Sequence, residues 1–170
     1  YASRLFFVEG GTLNAWYLPV DSIGGAAASF SLAGIFKKGG ALLFGATWSL
    51  DAGDGLDDKC VFVSDQGEVA IYEGTNPGAA AEWRLAGVYN ISKPLGPKAI
   101  MQAGGDLLIA TQNGLVPLSQ AIQRDVAALE LSAVSAPIAP IWREKGFSLS
   151  AGNWEIAKWP SENIMIVSQP

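Results

Sequence analysis

Apolar and polar residues alternate over short stretches along most of this chain, and the stretches recur. FVEGGTLNAWY (7–17) and FVSDQGEVAIY (62–72) share their Phe-Val start and their Ala-x-Tyr end at an offset of 55 residues. Downstream of each, GAAASFSLAGIF (25–36) returns as GAAAEWRLAGVY (78–89), with seven of twelve positions identical. Period-two runs bounded by Gly, Pro, Asn and Asp are the mark of half-buried strands. Each copy therefore predicts a strand, a Gly-containing turn, a second strand ending on Tyr, a loop and a third strand. ALLFGATWS (41–49) predicts an entry strand before the second copy. KAIMQAGG (98–105) and LLIATQNGLVPL (107–118) repeat the entry strand and the hairpin, with Gly114 in the place of Gly67. Both glycines fall where a hairpin turn needs positive φ. Gly34 and Gly87 interrupt the third strands at one shared point, which predicts a bulge or a close backbone approach.

The repeating unit is thus four antiparallel strands in about 50 residues, the grammar of a β-propeller blade. The expected fold is mainly β, a partial propeller of about two and a half blades over 1–118. Phe30, Phe36, Trp83 and Tyr89 are then the residues packing between blades. A closed propeller needs at least four blades, so the chain is expected to be a fragment of a longer protein, a reading to which its start at Tyr1 also points. The competing arrangement is a β-sandwich of duplicated hairpins.

After Leu118 the pattern changes. Residues 119–146 have few β-branched side chains and apolar spacing at Ile122, Val126 and Leu129. They predict a helical segment that starts at an N-cap Ser119 and breaks near Pro137, with a second short helix from Ile138 through Ile141 and Trp142. Residues 147–170 return to strands as a pair, GNWEIAKWP and ENIMIVSQP, turning at Pro160–Glu162.

Composition narrows the chemistry. The chain has 170 residues, 49% hydrophobic and 16% charged, enough for a sizeable core. Its net charge of −5 argues against a nucleic-acid surface, which would need basic side chains to neutralise phosphates. No apolar run is long enough to span a bilayer as a helix, no basic amphipathic helix offers a membrane face, and no stretch reads as a secretory signal. There is no histidine, which removes the commonest general base and zinc ligand. The single Cys60, inside the run CVFV, reads as a core residue. An enzyme is not expected. DAGDGLDD (51–58) is the one dense set of potential ligands: Asp51, Asp54, Asp57 and Asp58 are candidate calcium ligands, without the spacing of an EF-hand. The first reading of this stretch is a solvated loop, with Asp57 or Asp58 capping backbone amides; calcium binding and catalytic carboxylates are the alternatives. No cofactor is expected. Six tryptophans, at 16, 48, 83, 142, 154 and 159, offer either packing or a sugar-stacking surface.

WYLPVDSIGGAAASFSLAGIFKKGGALL, ATWSLDAGDGLDDKCVFVSDQGEVAIYEGTNP and WRLAGVYNISKPLGPKAIMQAGGDLLIATQNGLVPLSQA carry a resemblance. Over roughly residues 4–145 the chain is similar to the β-propeller part of tail-hub, nozzle-like structural proteins of tailed phages and prophages. The resemblance implies a non-enzymatic building block of a tail or connector, located in the virion and in the bacterial cytoplasm during assembly. Its partners would be other tail proteins and copies of itself. The alternative function is a glycan- or receptor-binding module that uses exposed tryptophans.

Overall fold

The structure, a computed structural model, describes residues 1–49, 58–148, 153–162 and 164–169. It is mainly β, built from several antiparallel sheets, and divides into two compact units, Tyr1–Tyr89 and Asn90–Pro170.

The first unit holds two sheets. One is three-stranded, in the order β1 (Phe6–Val8), β2 (Asn14–Tyr17), β3 (Ala28–Ser31). The other is a four-stranded meander of β4 (Leu42–Ser49), β5 (Asp58–Ser64), β6 (Glu68–Gly74) and β7 (Trp83–Asn90). This is the four-strand set expected from residues 41–89, and Gly67 turns the β5–β6 hairpin with φ +79°. Between the sheets lies a core of Ala15, Leu32, Phe36, Leu42, Cys60, Phe62, Ala70, Tyr72 and Trp83, with Phe6 and Phe30 packed against it. Aromatic rings dominate it: Phe30 meets Trp83 edge-on at 5.9 Å, and Tyr72 stacks on Trp83 at 5.1 Å. Such pairs add to the area they bury.

Matching positions of the two copies meet in this core. Ala15 corresponds to Ala70, Tyr17 to Tyr72 and Phe30 to Trp83, and Tyr17 lies two residues from Ala15 on the same face of its strand. Corresponding faces of the two sheets thus meet in this core.

Register and conformation separate the copies. In the first hairpin Phe6 pairs with Tyr17; in the second Cys60 pairs with Tyr72, a span one residue longer. Because strand side chains alternate, that single residue reverses the facing of the first strand. Phe6 turns inward, while Phe7, the sequence match of Phe62, faces out opposite Trp16.

The repeated LAG segment also differs. LAGVY continues as β7, but LAGIF does not continue β3: Ile35 and Phe36 both donate their N–H to the Leu32 carbonyl in a tight turn. The reason is the neighbouring strand. Phe30 already pairs with Ala15 near the start of β2, so the residues after Ser31 run past the end of the ladder. In the second copy Thr75 donates to the Glu82 carbonyl, which sets the start of β7 beside the end of β6 and leaves the length of β6 for LAGVY. Leu32 and Phe36 are consequently buried, while their counterparts Leu85 and Tyr89 lie in an edge strand, Leu85 exposed and Tyr89 half-buried. Neither glycine makes the expected bulge or backbone approach. Space around Gly34 is open, Gly87 lies under the Tyr89 ring, and the irregularity in the ladder falls between Leu42 and Phe44.

The turn is pinned by Glu68. This carboxylate, 3% exposed, accepts the Lys37 N–H at 2.8 Å and the Lys38 N–H at 2.9 Å. The Glu68 N–H itself donates to Ser64 Oγ at 3.0 Å.

In the second unit β8 (Ile100–Ala103), β9 (Asp106–Thr111) and β10 (Gly114–Pro117) form a meander, with Gly114 at φ +153° after the turn. The expected closing hairpin is present as β11 (Glu155–Trp159) and β12 (Ile164–Ser168). Trp154 and Ile156 donate to the Leu95 and Lys98 carbonyls and dock it. Leu95, Ala99, Leu108, Ala110, Leu115, Trp142, Trp154 and Ile156 form one core.

The helical segment is shorter and more broken than expected. It comprises α1 (Leu118–Ala121), α2 (Val126–Leu129), two 3₁₀ turns at Glu130–Ser132 and Ala136–Ile138, and α3 (Ala139–Ser148). Ser119 is not the N-cap; Pro117 precedes the helix, and Ser119 lies inside it. The capping acceptor comes from β9 instead: Asp106 accepts the Ser119 N–H at 3.1 Å and its hydroxyl at 2.5 Å. The helix stops where the β10 edge competes for its backbone. Val134 donates to the Leu115 carbonyl, and Leu115 donates to Ser135 Oγ at 2.9 Å. Pro140 is tolerated in the first turn of α3, where an N–H has no helical partner.

Candidate functional site

A cleft in the first unit opens at the end of its four-stranded sheet. Tyr1, Ala2, Asp58, Lys59, Glu73, Gly74 and Thr75 line a volume of about 560 Å³. Strand pairing places Asp58 and Lys59 at the start of β5, beside the end of β6 that carries Glu73. The Tyr1 hydroxyl lies 2.6 Å from the Gly74 carbonyl and 3.0 Å from that of Asp58. Burial, with the nearby Cys60, Asp58 and Glu73 charges, pushes its phenol up to about 12. Glu73 is held between Lys59 and Arg84, and the hydrogen bond from Lys59 is the first cause of its lowered pKa. Burial pushes the Cys60 thiol up to about 12, so it stays protonated and unreactive at neutral pH.

Of the four candidate calcium ligands, Asp51, Asp54 and Asp57 lie outside the described residues. Asp58 is half-buried, and its carboxylate accepts a hydrogen bond from Ser49. Among the described residues no three His, Cys, Asp or Glu side chains gather as a metal site. The cleft therefore presents carboxylates already committed to partners and a phenol held neutral, which is the chemistry of a tied-down strand end.

The aromatic residues are distributed plainly. Phe30, Phe36 and Trp83 lie between the two sheets of the first unit, and Tyr89 folds over Gly87 on β7. Trp48, Trp83, Trp142 and Trp154 are buried, while Trp16 and Trp159 are exposed, one in each unit. Trp142 donates its ring N–H to the Thr111 carbonyl at 2.9 Å. Sugar stacking thus falls to Trp16 or Trp159 alone.

Three polar anchors escaped the sequence reading: Glu68, Asp106 and Ser135. Each serves a backbone amide distant in sequence, and no local pattern marks such a role. Glu9 also escaped it. Its neighbours Asn14 and Trp16 are two apart on one strand face, which was a legible signal.

No protein-family model, curated protein or solved structure matches this chain. Among the described residues no helix is long and apolar enough to cross a membrane.

Proposed function

We propose that the chain is a non-enzymatic structural component of a phage or prophage tail or connector, a β-sheet scaffold that binds other virion proteins and copies of itself. One observation carries this reading: the C-terminal hairpin shows water four adjacent apolar residues on one face, beside the polar pair Glu155 and Ser168 at its open end. Trp159 pairs with Ile164 and Ala157 with Ile166, and all four are exposed. Ile138, Ile141 and Phe147 add exposed apolar surface in the same unit. A two-stranded hairpin is marginal in water by itself, and adjacent exposed apolar side chains of this kind mark protein contacts.

The propeller belongs to the same proposal. The order β4-β5-β6-β7 supports one complete four-stranded blade, and β1–β3 and β8–β10 are three-stranded sheets of the same antiparallel kind. Blades related by rotation about an axis meet front to back, whereas the sheets of the first unit meet through like faces, which favours a local sandwich. A scaffold role needs only the stacked sheets and is compatible with either. Mass spectrometry of purified particles, with sedimentation of the isolated protein, tests the reading. Peptides of this chain in the particles and concentration-dependent association are expected. Absence from particles, together with a monomer at every concentration, would refute it.

A further inference from the structure

We propose that the outer face of the β1–β2 hairpin is a saccharide-binding subsite, in which Phe7 and Trp16 form the stacking platform and Glu9 is the hydroxyl acceptor. This inference is independent of the assembly reading.

The platform follows from the register. Phe7 and Trp16 are directly paired across β1 and β2, and both side chains point away from the core. Phe7 is 49% exposed and Trp16 36%. Across the next strand Trp16 faces Ser29, a side chain too small to cover the indole. The two side chains therefore share one sheet face. That suits the flat C–H face of a pyranose ring, which is apolar on one side and ringed by hydroxyls.

The acceptor stands at the edge of this platform. Three donors converge on one oxygen of Glu9: Asn14 Nδ2 at 3.0 Å, Trp16 Nε1 at 3.2 Å and Thr12 Oγ1 at 3.3 Å. They hold the carboxylate in place through Oε2 and leave Oε1 with no partner among the described residues. A fixed, ionised oxygen is a strong acceptor for hydroxyl groups. The bonds from Asn14 and Trp16 also hold the Glu9 pKa below the ordinary carboxylate value, so the oxygen remains charged at neutral pH. Preorganised polar groups set against an aromatic surface are the usual composition of a small-molecule site.

A carboxylate beside aromatic rings also suits a quaternary ammonium, but such a cation is held by rings at several angles around it. Here two neighbours on one flat face provide a platform and no cage.

The test is a site-resolved titration of the whole chain by NMR, reading the backbone amides of residues 6–17 and the Trp16 indole N–H. The probes are the methyl glycosides of glucose, galactose, mannose and N-acetylglucosamine, and cellohexaose, with choline chloride as the competing class. Saturable shifts confined to these signals are expected with at least one sugar, in the millimolar range. Trp16→Ala and Glu9→Gln should each weaken binding about tenfold or more. Trp16→Phe, which keeps a stacking ring, should retain part of it. Unchanged chemical shifts elsewhere confirm that each variant is folded. No perturbation by any sugar up to about 50 mM, shifts confined to other residues, or a response to choline alone would each overturn the proposal.

Discussion

Replacing Glu68 should loosen the first unit at one identifiable point. Its carboxylate, 3% exposed, receives the N–H groups of Lys37 and Lys38 at 2.8 and 2.9 Å, and these hold the Leu32–Phe36 turn against the core. Hydrogen bonds to a charged group contribute about 1.5–3 kcal/mol each. Both lysines are exposed, so water can satisfy part of what is lost, and the lower end of that range applies. Glu68→Ala should then cost about 3 kcal/mol. Glu68→Gln keeps one acceptor but sets an amide donor against the other N–H, and should cost about 1.5–2 kcal/mol. Urea unfolding of the whole chain, followed by tryptophan fluorescence and circular dichroism, reads the loss. Hydrogen exchange locates it, since the amides of residues 35–38 should lose protection before the β4–β6 ladder does. Glu82→Gln, an exposed carboxylate, provides the reference and should stay within about 0.5 kcal/mol. If Glu68→Gln matched that reference and the Lys37 and Lys38 amides exchanged as in the parent, the carboxylate clamp would not be what holds the turn.

The Cys60 thiol should resist a soluble disulfide reagent at pH 8 in the native protein and react at once in urea; rapid native reaction would contradict its burial. Its raised pKa makes a contribution that is complete below the unfolded value near 9 and lost as pH rises towards about 12, so Cys60→Ala should flatten the alkaline fall in urea midpoint across that window. Tyr1 adds a loss from 10 to about 12; burial is its first cause, so it persists in that variant, reduced by the absence of the Cys60 charge. Glu73 acts with the opposite sign: its pKa is lowered, so its contribution is present above the ordinary carboxylate value and lost as pH falls through the lowered one. Glu73→Gln should cost about 1 kcal/mol or less at pH 7 and shrink the acid loss; an unchanged acid profile would remove the Lys59–Glu73–Arg84 cluster as its source. Trp142→Phe should cost about 2–3 kcal/mol by losing the bond to the Thr111 carbonyl and part of a buried ring, and a smaller loss of about 0.5 kcal/mol would show that the bond contributes little.

Strand-level organisation was written in the chain itself. The β5–β6 and β9–β10 hairpins, the β11–β12 pair and the four-strand set from β4 to β7 follow from period-two alternation and from glycines at the turns. These are local signals, because a strand's alternation and a turn's positive φ need only neighbouring residues. The apolar Cys60 run was legible as core for the same reason.

What the repeated words become was decided in three dimensions. SLAGIF and its echo RLAGVY are nearly one sequence, yet one folds back under a distant carboxylate and the other runs on as a strand. The difference lies in how much of the adjoining strand remains to pair with, and the segment's own residues do not carry that information. A one-residue difference in hairpin span likewise turned Phe6 inward and sent Phe7 out beside Trp16. The region after Leu118 broke into short helical pieces because the β10 edge offered Val134 and Ser135 partners that helical spacing does not record. Alternation and turn chemistry specify the strands one at a time. Which faces meet, and where a ladder ends, depends on backbone partners far apart in sequence, and only the folded chain supplies them.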